Sequence, residues 1–150
     1  MKKYILITTF SFIFVLVLFL FYSFISRGNT WFVNVDLNVA NSYKNSAEIY
    51  GPLDHPARDE VEAAAKEVKD FFKNNFNGCI LLNLSYDEEF TYDIEYSEWY
   101  DDAIVFVSDY YVLFGGDGAW VSGELYSDWR WTVRYNHNYN KWEVVNYGYG

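Results

Sequence analysis

The sequence predicts an α+β fold, with one long amphipathic helix packed on a curved antiparallel sheet of about four strands and a transmembrane helix in front. Three observations predict it. Apolar side chains recur at helical spacing across residues 56–78, and at strand spacing in several segments after residue 79. Residues 4–25 carry no charge and are long enough to span a bilayer.

The N-terminal element comes first. Lys2 and Lys3 precede a run from Tyr4 to Ile25 of 22 residues, 16 of them Leu, Ile, Val or Phe. As a helix this run measures about 33 Å, matching a hydrocarbon core of about 30 Å. At roughly 0.4 kcal/mol for each of those side chains, insertion is favourable by about 6 kcal/mol. The two lysines orient the span with its N-terminus in the cytoplasm and the rest of the chain outside. A cleaved secretory peptide is the rival reading and would make the domain secreted. Its apolar region is shorter, about 7–15 residues, and here only Ser26 and Gly28 offer a small-x-small cleavage pattern. Length and junction favour an uncleaved signal-anchor. The chain then divides into the lysine pair and anchor (1–27), a strand-like segment and linker (28–55), and an extracytoplasmic α+β domain (56–150).

In the linker, WFVNVDLNVA alternates. Trp31, Val33, Val35, Leu37 and Val39 share one face of a half-buried strand, whose pairing the sequence leaves open. Gly51-Pro52 punctuates the loop that follows. The helix is the best specified element. Pro56 suits the first helical position, Asp59 and Glu60 complement the helix dipole, and Gly78 suits the C-cap. Val61, Ala64, Ala65, Val68, Phe72 and Phe76 form one apolar stripe. Arg58–Glu62, Glu62–Lys66 and Lys66–Asp70 are spaced for ion pairs on the wet side.

Strands follow at 79–86 and 103–114, the second apolar on both faces at its start, as a central strand would be. GGDG at 115–118 reads as a turn, and AWVSGELY leads into a further strand. Trp129, Trp131, Val133 and Tyr135 alternate with polar residues, and NHNYN (136–140) turns the chain so that KWEVVNYGYG pairs back as a hairpin. Residues 87–102, DEEFTYDIEYSEWYDD, have no firm period and read as a long loop or a short helix.

The order of elements resembles the cystatin-like or NTF2-like α+β roll. The helix ending in Phe71, Phe72, Phe76 and Gly78, then SYDEEF, DDAIVFVSDY, GGDG, WRW and WEVVNYGYG, is similar to small uncharacterised bacterial exported proteins with that roll. The resemblance covers roughly residues 50–150 and implies an exported or membrane-tethered domain. It carries no catalytic residue.

Composition excludes several functions. Net charge is -10, and Lys2, Lys3 and Arg27 are three of the eleven bases, so the domain after Gly28 is near -13. A field of that sign repels phosphate backbones, so no nucleic-acid partner is expected. Cys79 is the one cysteine, so no internal disulfide forms. The two histidines, His55 and His137, fall in no metal-site or nucleophile motif, so no metal and no cofactor is expected. Acids crowd 87–102, but with so many a suitable catalytic pair always exists on paper, and a solvated acidic face is the better explanation.

The expected function is therefore binding or scaffolding at the cell envelope, without catalysis. The partners would be the membrane, through residues 4–25, and an envelope protein or a small ligand. The ring face of the 129–135 strand is the face the helix would cover, so Trp129 and Trp131 are expected in the core; by fold analogy the sharper alternative is a pocket between helix and sheet lined by Phe72, Trp129 and Trp131. Trp99 and Trp120 are candidates for exposed rings that stack on a sugar or cation. Arg130 and Arg134 share the polar strand face, where they either clamp an anion or balance local acids. The alternative function is a carbohydrate-binding or hydrolytic domain using the rings and the 87–102 acids.

Overall fold

The computed structural model describes residues 2–37, 56–91, 102–115 and 120–149, the side chains of 2–10, 24 and 25 excepted. Five strands form one sheet: β1 (Asn34–Asp36), β2 (Cys79–Tyr86), β3 (Ala103–Val112), β4 (Leu125–Asn136) and β5 (Lys141–Tyr149), in the order β1-β2-β3-β4-β5. Before them runs helix α1 (Lys2–Ile25), and between β1 and β2 runs helix α2 (Arg58–Asn75).

The fold class is α+β, but the sheet departs from the expected four antiparallel strands. It has five, and β1 lies parallel to β2, with Val35 opposite Leu84. The chain leaves β1, passes through α2 and re-enters the sheet beside β1 in the same direction, which requires such a crossover. The other pairings are antiparallel. Of the segment whose pairing the sequence left open, Asn34–Asp36 join the sheet, Trp31 and Phe32 form a turn, and 38–40 lie outside the described residues; ahead of it Asn29 makes a parallel bridge to Ile80.

Helix α2 buries Val61, Ala64, Ala65, Val68 and Phe72, and Phe76 beyond its end completes the stripe. Two details differ from expectation. Pro56 stands before the cap, and Ala57 is the N-cap residue (φ -64, ψ 152). The Ala57 carbonyl accepts from Glu60 and Val61, and the Glu60 carboxylate reaches back to the Ala57 N–H at 2.7 Å. At the other end the last turn closes with the Phe76 N–H on the Phe72 carbonyl, and Gly78 (φ +73) turns the chain into β2. On the wet side, Glu62 pairs with Arg58 and Lys66 with Asp70.

Two bulges flank β3 at Asp109. Leu82 is extra in β2, and Ser127 and Asp128 together oppose Asp109 from β4. The Asp109 carboxylate joins both irregularities. One oxygen accepts from Asn83 Nδ2 at 2.6 Å, and the other from the Asp128 N–H at 3.2 Å, where Asp128 has φ +57. Asn83 Oδ1 in turn accepts the Asp109 N–H at 2.8 Å. Bulges bend a strand and raise its twist. Here they bend the sheet on both sides of its central strand. Asp109→Ala leaves two donors without an acceptor, so it is expected to cost about 1–3 kcal/mol in chemical denaturation. A change within error would show that the bulges hold without the staple.

Below β2, Asp87 caps a helical turn at 88–91. Its Oδ1 accepts the Phe90 N–H, and its carbonyl accepts from Thr91. Thr91 is buried and its hydroxyl accepts the Val105 N–H. Residues 87–91 of the acidic segment are thus built into the domain.

Candidate functional site

Helix α2 is shorter than the strand beneath it. Eighteen helical residues span about 27 Å, whereas the twelve of β4 span about 40 Å. The helix-facing residues of β4 are therefore covered in the middle and overhang at the ends. Trp131 and Val133 are fully buried, while Trp129 and Tyr135 are half-buried. The overhangs create two distinct ends of the domain.

At the end where α2 finishes, rings dominate. Tyr110 stacks parallel on Tyr126 at 5.1 Å, and Phe76, Trp120 and Trp129 meet it edge-on at about that range. Tyr147 and Tyr149, opposite Trp131 and Trp129 on β5, extend the cluster to solvent. The Tyr110 hydroxyl is buried and makes no hydrogen bond among the described residues. Burial, with smaller help from Cys79 and the neighbouring tyrosines, pushes this phenol well above its usual pKa. A buried hydroxyl without a partner is a cost, so Tyr110→Phe is expected to raise stability by about 1 kcal/mol. A loss of stability in that variant would mean the hydroxyl is bonded.

At the opposite end, where α2 begins, lies a cleft of about 550 Å³. The first turns of α2 supply Asp59, Glu60 and Ala63; the start of β3 supplies Asp102; and the β4–β5 hairpin supplies Tyr135, His137 and Trp142. The hairpin register places Tyr135 opposite Trp142, their rings 5.3 Å apart, and the His137 ring meets Tyr135 at 5.0 Å. His137 Nε2 lies 2.6 Å from Asp102 Oδ2. Glu60 is engaged with the Ala57 N–H, while Asp59 has no polar partner among the described residues. Beside the cleft, Lys141 Nζ and Asn136 Nδ2 both contact the Glu143 carboxylate and hold it below the usual carboxylate range. Three carboxylates and two large rings around one cavity present acceptors and π-faces, a chemistry suited to cationic or donor-rich groups.

The residues singled out from the sequence fall elsewhere. Phe72 and Trp131 are in the core, 6.2 Å apart between ring centres, with Phe76 and Tyr110 filling the space around them. Trp120 and Trp129 belong to the ring cluster at the other end and are half-buried. Trp99 and His55 lie outside the described residues. Arg130 lies on the sheet face away from α2, 3.7 Å from Asp87 Oδ2, with its guanidinium 4.3 Å above the Phe90 ring. Arg134 is exposed and sits opposite Glu143, whose carboxylate it helps to hold ionised. Each arginine thus faces an acid of its own. Asp102 is one of the 87–102 acids weighed from the sequence, whereas Tyr135, His137 and Trp142 were not among the ligand-site candidates. The signal that marks them is the four-residue turn, since counting back from it pairs Tyr135 with Trp142.

The chain matches no family model, no curated protein and no solved structure. Among the described residues no group of His, Cys, Asp and Glu side chains is placed to hold a metal ion.

Proposed function

We propose that this protein is a membrane-tethered binding domain of the cell envelope, held by α1 with its α+β roll outside, and that its ligand site is the cleft at the start of α2. The observation that carries the binding assignment is that cleft, walled by three carboxylates and by the Tyr135 and Trp142 rings. Its acceptors favour ligands bearing an amine, a guanidinium or several hydroxyls. Strand, helix and four-strand meander follow one another as in a cystatin-like roll, which supports the exported, non-catalytic reading by analogy.

The tether rests on the sequence of residues 4–25 and on the exposure of α1. Side chains are described for residues 11–23, and the eleven from Phe12 to Tyr22 are apolar or aromatic and all exposed. Among the described residues no helix is long and apolar enough to cross a membrane. Side chains are described for only part of the 24-residue helix. A helix apolar on every side is stable when lipid surrounds it.

Thermal shift with lysine-rich peptides and amino-sugar oligomers tests the binding assignment. A true ligand at about 100 times its Kd adds about 2.7 kcal/mol of stability. The double variant Asp59→Asn, Asp102→Asn should lose that shift while lowering the unliganded Tm only slightly, since both carboxylates are exposed and their dipole and His137 contacts are weak in solvent. A shift that survives the double variant, or none with either probe class, would sink this site. Co-purification of an envelope protein in its place would favour a scaffold.

A further inference from the structure

The domain is docked on the last turn of α1 and is not hung from it by a loose tether. Only Ser26 and Arg27 lie between Ile25 and Gly28, so at 3.8 Å per Cα step the end of the helix is within about 11 Å of Gly28. Gly28 itself is buried, and its N–H donates to the Lys73 carbonyl at the end of α2. A Cβ there would lie 2.3 Å from the Phe72 carbonyl oxygen, so the approach is closed. Asn29 then bonds to Cys79 and Leu81, and Phe21 of α1 touches Phe114 at 6.4 Å between ring centres. The headgroup layer beyond the hydrocarbon is about 5–8 Å deep on each side. Even fully extended, the connection exceeds that depth by only a few ångström, so this end of the domain is kept at the membrane surface.

The end held there is the apolar one. Phe114, Val121 and Leu125 are exposed where β3 ends and β4 begins, and Tyr149 is exposed where β5 ends. Trp31 and Phe32 protrude from the turn after Asn29, at 77% and 75% exposure. Charge is distributed the opposite way. Asp36, Asp59, Asp87, Asp102 and Glu143 cluster toward the end where α2 begins, whereas the described acids at the apolar end are Glu124 beside Leu125 and the Asp109–Asp128 pair held at the β3–β4 bulge. Aromatic and apolar side chains partition to the membrane interface, and carboxylates are repelled by an anionic surface.

We infer that this end of the domain is a lipid-contacting collar, its exposed rings and aliphatic side chains seated in the headgroup layer around α1. The inference rests on the membrane-tether reading. It gives the domain a fixed orientation, with the cleft facing away from the bilayer across the length of α2.

The test uses the full chain in phosphatidylcholine vesicles, with an environment-sensitive fluorophore on Leu125→Cys or, at the far turn, Tyr139→Cys. Both positions are exposed and Cys79 is buried, so the label goes to the introduced thiol. The expected result is a blue-shifted label at position 125 that loses most of its emission to a lipid-borne spin quencher. The label at 139 should respond only to aqueous iodide. Free iodide quenching at 125 in a chain that resists alkaline extraction would keep the tether and overturn the collar. Shielding of 125 from both quenchers would mean that protein covers this end, which also overturns it. Release of the chain by alkaline extraction would remove the tether, and the collar with it.

Discussion

Trp131→Ala is expected to cost about 3–5 kcal/mol, a large share of the 5–15 kcal/mol typical of a whole domain. The indole is fully buried. Its ring centre lies 5.1 Å from Phe76, 5.7 Å from Tyr147 and 6.2 Å from both Phe71 and Phe72, so it joins α2 to β4 and β5. Its Nε1–H donates to Ser108 Oγ at 2.8 Å, which ties β4 to β3. Truncation removes the ring contacts, opens a cavity under the helix and leaves Ser108 short of a donor. Trp131→Phe keeps one aromatic ring but loses the N–H and part of the buried volume, so its cost should be smaller than for Trp131→Ala, about 1–3 kcal/mol. Guanidinium denaturation of the two variants grades the loss with the ring volume removed. A loss below about 1 kcal/mol for Trp131→Ala would mean that this ring is an open platform and not core.

How far such features were legible depends on which physical signal encodes them. The stripe from Val61 to Phe76 could be read because a straight helix preserves its period over its whole length. The order CILLNLSY shows no period because the extra residue Leu82 shifts the phase. Cys79 and Leu81 face the core before the bulge, and Leu84 faces it after. Strand alternation also says nothing about direction, so the parallel β1–β2 pair could not be anticipated. The face of β4 was readable, but which of its rings are covered depends on the length and placement of α2. That is why Trp129 and Trp131 differ although they share a face. The cleft is less legible still. It joins residues 56–63, 102–104 and 135–142, and only the folded chain brings these together.

Gly78→Ala should be the most damaging single-methyl change among the described glycines outside the α1 junction. Gly78 holds φ +73, where a side chain costs about 1–2 kcal/mol. Space is the second penalty. An added Cβ would lie 2.5 Å from the Phe114 carbonyl oxygen, which is backbone and cannot swing aside. Relief requires parting β2 from the end of β3, where the Gly78 carbonyl accepts from Leu113 at 2.8 Å and from Phe114 at 3.3 Å. The total is expected to reach about 2–4 kcal/mol, near the upper range for one substitution. Gly123→Ala is the matched control. Its φ is +84, but the nearest atom to its Cβ is the Tyr111 hydroxyl at 3.8 Å, so only the backbone penalty of about 1–2 kcal/mol applies. Thermal melts of the two variants should therefore separate, with Gly78→Ala several degrees lower. Equal melts would mean that the backbone yields at Phe114 without loss. Because Phe114 also touches Phe21, a yielding backbone there would loosen the contact between α1 and the sheet before it loosened the core.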